Sequence, residues 1–237
     1  MQKVEEISVF FPAYNLEGYI AKTVENAIDY LSEIARKYEV IVINDGSSDK
    51  TGEVLAGLQK KHKTLRVITH PVNRGYGGAL KSGFYNARYD WIAFTDGDGQ
   101  FDIRELGGFI EKQSQSGADM VIGYYLKRSV SVFTVFTSKV WETIVYVLFG
   151  LRVKDVDCAF KLINRRVFKK INNLESERGA FISSELLVKA KRARFKIVEM
   201  GVHHYPRVED KRSSTGRSLK VIIGSFVDLF RLWIKLH

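Results

Sequence analysis

Apolar residues in this chain gather into short runs separated by longer, regularly interrupted stretches. Residues 7–11 form one run, closed by Pro12. After it come Ile20, Val24, Ala27, Ile28, Leu31 and Ile34, spaced as the stripe of an amphipathic helix. A second run, 40–43, stops at Asn44-Asp45-Gly46. Ser47 and Ser48 then offer N-caps to a helix carrying Val54, Leu55 and Leu58. The third run, 65–69, leads into a glycine-rich turn and a helix expected over 78–89; the fourth is 91–95. Short apolar runs without alternation fit strands covered on both faces. Their alternation with helices predicts an α/β fold with a mainly parallel sheet and right-handed crossovers.

Past residue 100 the rhythm loosens. The pattern predicts helices over 103–116, within 133–149 and over 184–193, and strands at 119–123, 160–163 and 196–203. An amphipathic helix is expected over 218–236. The three prolines, Pro12, Pro71 and Pro206, fall at expected strand ends or loops. The organisation expected is one domain over 1–217, with a nucleotide-binding half (1–100) and an acceptor half (101–217), followed by a C-terminal helix over 218–237.

Composition changes this picture in two ways. The single cysteine, Cys158, excludes an internal disulfide and points to a reducing, cytoplasmic setting. No apolar signal region opens the chain, and no span reaches the roughly 20 apolar residues that cross a bilayer. Charge is also uneven. Residues 1–100 carry 12 Lys+Arg and 13 Asp+Glu, whereas 101–237 carry 25 and 14. A basic second half predicts an anionic partner on that side: nucleic acid, a phosphorylated substrate or an anionic membrane surface.

In open parallel sheets ligands bind beyond the carboxyl ends of the strands. Here those ends carry Pro12-Ala13-Tyr14-Asn15, Asn44-Asp45-Gly46-Ser47, Asn73 to Gly78, and Asp96-Gly97-Asp98-Gly99-Gln100. Two carboxylates flanking a glycine can grip a hard cation while leaving room for a phosphate. Oxygen donors suit Mg²⁺ or Mn²⁺. Asp96, Asp98 and Gln100 are therefore candidate metal residues, and the cation would neutralise charge on a departing diphosphate. Asp45 is placed to accept from a base or a ribose. The run Gly75 to Gly78 is not a dinucleotide fingerprint, because the third glycine position is Leu80. In a strand, Asp155 and Asp157 would share a face. One of them could serve a hydroxyl acceptor as general base. Arg207, Lys211, Arg212, Arg217 and Lys220 surround Ser213-Ser-Thr-Gly216, a loop able to close over phosphate. His203 and His204, adjacent on a strand, would face opposite ways and are read as structural.

The motifs Phe11-Pro-Ala-Tyr-Asn15, Val42 to Thr51, Asn73 to Leu80 and Thr95-Asp-Gly-Asp-Gly-Gln-Phe101 resemble glycosyltransferase family 2. The stretch Asp155-Val-Asp-Cys-Ala-Phe-Lys-Leu162 and His203-His-Tyr-Pro-Arg207 are similar to its dolichol-phosphate mannose and glucose synthase branch. The likeness spans residues 7–220. It departs at Leu16, where relatives carry Glu, and at Ala159, where they carry Gly.

This resemblance implies a GT-A fold and an inverting hexose transfer from a GDP-mannose- or UDP-glucose-type donor to a polyprenyl or dolichyl phosphate. The enzyme would work peripherally, at the cytoplasmic face of a membrane. Pro12, Ala13, Tyr14, Asn15, Asp45, Asp96, Gly97 and Asp98 would bind the nucleotide sugar. Lys127 and Arg128 would hold the acceptor phosphate. Asp98, Arg207 and Asp155 would be the catalytic set, with Mg²⁺ or Mn²⁺ on Asp96, Asp98 and Gln100. The competing expectations are a soluble glycan or protein acceptor, a sugar-nucleotidyltransferase, and a nucleic-acid-binding module. The nucleotidyltransferase expectation lacks its glycine-rich first loop and lysine. The nucleic-acid expectation leaves the spaced carboxylates unexplained.

Overall fold

The computed structural model describes residues 3–127, 132–171, 173–177, 181–206 and 219–236, with 132–137 and 219–223 as backbone. In chain order the strands are β1 (Val4–Ala13), β2 (Ala35–Asn44), β3 (Leu65–Thr69), β4 (Trp91–Phe94), β5 (Met120–Tyr125), β6 (Lys161–Asn164) and β7 (Ile197–Val202). The helices are α1 (Ile20–Ile34), α2 (Thr51–Lys61), α3 (Gly75–Asn86), α4 (Leu106–Ser116), α5 (Val132–Phe149), α6 (Arg166–Lys170), α7 (Phe181–Arg192) and α8 (Leu219–Leu236). A short 3₁₀ turn, Ile103–Glu105, precedes α4.

The seven strands among the described residues form one sheet in the order β3-β2-β1-β4-β6-β5-β7. β1 to β4 are mutually parallel, and β7 is parallel to β5. The exception is β6, which runs antiparallel between β4 and β5. An apolar run carries no sign of strand direction, so its pattern predicts a strand here without predicting its polarity. The reversal has a consequence for the site. Lys161 opens β6 opposite Phe94, the last residue of β4. The 155–160 segment is thereby delivered to the edge where Asp96 emerges.

The central strands are apolar because both faces are covered. Ile7, Val9, Phe10 and Phe11 of β1 and Val40 to Ile43 of β2 are fully buried. Phe10, Phe84 and Phe94 make a mutual ring cluster with centroids 5.1–5.3 Å apart. Gly83 lets α3 approach this cluster: a Cβ there would lie 2.3 Å from the Phe10 ring. Burying aromatic side chains at this density is worth several kcal/mol each.

Several boundaries move relative to the sequence pattern. β2 starts at Ala35, five residues before the apolar run, and its first half carries exposed Arg36 and Lys37 before entering the core at Glu39. α2 starts at Thr51, whose N–H is taken by Asp49 Oδ1 at 2.9 Å; Ser47 and Ser48 bond to Asn15 instead of capping the helix. α3 starts at Gly75, three residues before the expected position, so the glycine run is its first turn. α6, five residues long, is too short to leave a periodic signal.

α8 packs on α7, burying Leu229 and Leu232. Lys235 pairs with Glu175, and Phe226 meets Trp141 edge-on with centroids 5.3 Å apart. The single apolar stripe expected from sequence is therefore split. One face is covered, while Phe226, Val227, Phe230 and Ile234 stay exposed.

Candidate functional site

Three loops at the carboxyl edge of β1, β2 and β4 bind one another before any ligand is considered. Asp45 N–H donates to Ala13 O at 2.8 Å. Asn15, held at φ +53°, accepts from Ser48 N at 2.8 Å and donates its own N–H to Ser47 Oγ at 3.0 Å. Left-handed backbone is most tolerable for asparagine among side-chain-bearing residues, which explains the residue type. Leu16, the family departure, is buried, and its N–H donates to Thr51 Oγ1. Glu17 accepts from Lys50 N at 2.8 Å, so its carboxylate closes the same junction. Tyr14 projects outward, with its ring partly open to solvent.

Asp45 is 3% exposed. Its Oδ1 meets His70 Nδ1 at 2.6 Å and accepts from Arg74 N at 2.9 Å. His70 Nε2 lies 2.8 Å from Ser82 Oγ. A buried carboxylate needs such donors to offset lost hydration. The sequence pattern does not single out His70, since a lone histidine at a strand end carries no spacing signal.

The Asp96-Gly97-Asp98 turn follows β4. Gly97 sits against the first loop, where a Cβ would fall 2.9 Å from Pro12 O. Gly99 has φ +76°. Asp98 is buried and accepts from Gln100 N at 3.1 Å. Asp96 Oδ1 accepts from Tyr76 Oη at 3.1 Å. Burial, then the Asp96 charge, pushes the Tyr76 phenol well above its ordinary value, so it remains a donor. Gln100 Nε2 donates to Tyr205 O and Tyr205 N–H returns to Gln100 O, both at 2.9 Å. Gln100 thus joins the turn to the segment after β7, a link that spacing does not reveal.

The 155–160 segment is a turn, so the shared-strand-face argument for Asp155 and Asp157 does not hold. Asp155 Oδ1 accepts from Asp157 N at 3.0 Å and Cys158 N at 3.1 Å. Lys161 is fully buried beneath it. Its ammonium donates to Cys158 O and, at 3.3 Å, to Val156 O, and it lies over the Phe94 ring. Desolvation lowers its pKa, opposed by Cys158, Asp155, Asp157 and Asp96. Desolvation also pushes the Cys158 thiol up to about 12. Motif spacing assigns Lys161 no role of its own; only the turn wrapped around it reveals one.

His203 Nδ1 lies 2.9 Å from Glu105 Oε1. His204 packs edge-on against Phe101 and Tyr125, and burial lowers its pKa. Both follow the end of β7 rather than lying within it. Lys127 is exposed just past β5. Arg128, Arg207, Lys211, Arg212 and Arg217 lie outside the described residues, as does the Lys220 side chain.

A mostly parallel sheet gathers acidic turns at one edge, and the comparisons with known proteins give the chain a family. The glycosyl transferase family 2 model matches residues 8–172. The chain belongs to that family. It is 29% identical over 95% of its length to the Trichomonas vaginalis dolichyl-phosphate beta-glucosyltransferase ALG5D, covering 72% of that protein. It is 30% identical over 85% of its length to the Saccharomyces cerevisiae dolichyl-phosphate beta-glucosyltransferase, covering 68% of it. Glucosyl-3-phosphoglycerate synthase from Mycobacterium tuberculosis, solved with Mg²⁺ and UDP, shares the fold. Its TM-score is 0.69 at 17% identity, over 94% of this chain and 79% of that one. The GT-A architecture expected from the motifs is the one observed.

Proposed function

We propose that this protein transfers glucose, with inversion, from UDP-glucose to a dolichyl or polyprenyl phosphate at a membrane surface, assisted by Mg²⁺ or Mn²⁺. The observation that carries the reading is the convergence of Asp45, Asp96 and Asp98 on one sheet edge, in a chain about 30% identical to dolichyl-phosphate beta-glucosyltransferases. The UDP-bound neighbour supports the choice of nucleotide.

The donor set fits a hard cation. Asp96 and Asp98 offer carboxylate oxygens, and Gln100 adds an amide. Among the described residues no group of three or more His, Cys, Asp or Glu forms a closed metal cage. Mg²⁺ and Mn²⁺ need only one or two protein carboxylates, together with substrate phosphates and water. When bound, the cation offsets charge on the departing diphosphate.

The chain's own residues supply the rest. Asp45, buried and held by His70, addresses the base or ribose of a nucleotide packed beside Tyr14 and Pro12. Gly97, packed against Pro12 O, brings the acidic turn close to the first loop, where the diphosphate would lie between them. A phosphate acceptor is already an anion, so attack needs no strong base. Asp155, with one oxygen committed to two backbone N–H groups, is assigned to shaping the turn that faces the donor sugar. Lys127, with Arg128 beside it in sequence, is assigned to the acceptor phosphate, and Arg207 to the donor diphosphate.

No helix among the described residues is long and apolar enough to cross a membrane. The exposed Phe226, Val227, Phe230 and Ile234 form an apolar strip along α8, with exposed Arg231 on the same helix. This supports docking on an anionic lipid surface. The test is transfer of radiolabelled glucose to purified short-chain polyprenyl phosphate, with 3-phosphoglycerate as the soluble comparison. Label is expected in the lipid fraction, and it should vanish on chelation. Transfer to the soluble acceptor alone would overturn the lipid assignment; full activity in excess chelator would overturn the cation.

A further inference from the structure

We propose that Tyr76 is a positioning residue for the cation: its phenol donates to Asp96 Oδ1 and fixes the carboxylate that grips the diphosphate-bound metal. This deepens the cation-assisted transfer proposed above and rests on it.

The bond spans two elements, from the first turn of α3 to the turn after β4, at 3.1 Å. Its direction is unambiguous, because an ionised carboxylate only accepts. What distinguishes Tyr76 from an incidental surface phenol is how firmly its backbone is held. On one side Arg74 N donates to Asp45 Oδ1 at 2.9 Å, and Asn73 Nδ2 donates to Asp45 O at 3.1 Å. On the other, Gly78 N donates to Glu177 O, and Glu177 Oε1 takes Arg74 Nη2 at 2.6 Å and Lys81 Nζ at 3.1 Å. The glycines are required for this seat. Gly75 has φ +80°, and a Cβ on Gly77 would sit 2.7 Å from the Glu177 carbonyl carbon. The ring itself packs against the core. The glycine run that matches no dinucleotide fingerprint therefore has a purpose here: it seats one aromatic side chain on a metal-site carboxylate.

The chemistry of the donor matters as much as its position. A lysine or arginine in this place would form an ion pair and compete with the cation for the Asp96 charge. A phenol orients the carboxylate while remaining neutral, so the full negative charge stays available to the metal. Preset ligands bind more tightly because less rotamer freedom is lost on binding.

The experiment measures Mn²⁺ binding to the full chain in the presence of UDP, by electron paramagnetic resonance of free Mn²⁺. Tyr76→Phe should weaken binding about tenfold, the scale of one lost hydrogen bond to a charged group. The apparent activation constant for Mn²⁺ in glucosyl transfer should rise by the same factor. The melting temperature without metal or nucleotide should stay close to that of the parent protein, which separates orientation from folding. Tyr76→Met, also lacking a donor, serves as the second variant if the phenylalanine form is unstable. In an Asp96→Asn background the Tyr76 substitution should add little further loss, because the two act on one interaction. Unchanged Mn²⁺ affinity in a folded Tyr76 variant, or fully additive losses in the double variant, overturns the proposal. Failure of the parent protein to bind Mn²⁺ with UDP removes the cation reading itself, and the role of Tyr76 with it.

Discussion

The two sides of the sheet edge are built by different means. On the β1–β2–β3 side, loops are joined by short bonds between backbone and neutral or singly charged side chains, such as Asn15 to Ser48 and Asp45 to Arg74 N. On the β4–β6–β5 side, the 155–160 turn is wrapped around the fully buried Lys161 side chain, which donates to backbone carbonyls. The first side follows from local rules for parallel strand ends. The second depends on a strand inserted in the reverse direction. One side of the edge is thus preset by local geometry, whereas the other is set by tertiary packing around a buried lysine.

The sharpest break in this contrast is at the boundary between the two sides. Asp98→Asn should lower transfer by about a hundredfold or more, the scale of one key electrostatic contact. The parent fold should be kept, because the asparagine amide oxygen can still accept from Gln100 N, as Asp98 Oδ1 does. Steady-state kinetics with labelled donor provide the check, and near-normal turnover would remove Asp98 from the catalytic set.

A pair of substitutions then separates the sides. His70→Ala takes a partner from Asp45 and should raise the donor KM about tenfold, as expected for a lost bond to a charged group. His70→Asn, whose amide can still donate, should recover part of that loss. Lys161→Met should leave UDP affinity within about twofold while lowering kcat about tenfold. The change removes a desolvated amine and leaves the Val156 and Cys158 carbonyls without their donor. Calorimetry for UDP and turnover for transfer distinguish the two. If Lys161→Met weakened UDP binding as much as His70→Ala, the division into two sides would be wrong.

How much of the molecule is legible in the sequence follows the same division. The four parallel strands, the acidic turns after β2 and β4, and the helical stripe from Ile20 to Ile34 all lie in unbroken local patterns. So does the family likeness, which rests on motifs in the order of those turns. The antiparallel sense of β6 is not legible, because burial on both faces gives the same apolar run for either direction. Nor are Tyr76, His70 and Lys161 as supports. Tyr76 and His70 each act on a carboxylate 20 or more positions away, and Lys161 acts on backbone carbonyls. None of these leaves a spacing signature. Asp155 reads as a strand residue because two-residue spacing is ambiguous between a strand face and an Asx turn.

A smaller effect tests the packing that supports both sides. Gly83→Ala places a Cβ 2.3 Å from the Phe10 ring. Overpacking of this kind costs about 1–3 kcal/mol. For a chain of this size that lowers the melting temperature by several degrees, at about 2–4 °C per kcal/mol. The donor KM should hardly move, since Phe10 and Gly83 lie in the core below the edge. A melting temperature equal to the parent's would show that α3 can shift away from β1 without cost, and the seat of Tyr76 and Arg74 would then be a loose one.

The smallest effect is expected at Cys158, whose labelling reports on the turn around Lys161. The thiol is fully buried, with its pKa raised to about 12 by desolvation. At pH 8 the native thiol is overwhelmingly protonated and shielded, and thiolate is the reactive form. Iodoacetamide should therefore leave native protein almost unlabelled over a time that fully labels urea-unfolded chain, as read by intact mass. The linkage has a definite sign. The folded pKa lies above the ordinary thiol value of 9.0, so the unfolded chain releases this proton first as pH rises. The stability that Cys158 contributes is whole below about pH 9 and declines between there and about 12. Labelling should accordingly rise across that window through increased opening. Lys161→Met should bring the onset to lower pH if the ammonium holds the turn closed. Rapid labelling of the native protein at pH 8 would mean that the 155–160 turn opens freely, and the contrast between a locally stitched β1–β2–β3 side and a tightly packed β4–β6–β5 side would fail at its most buried point.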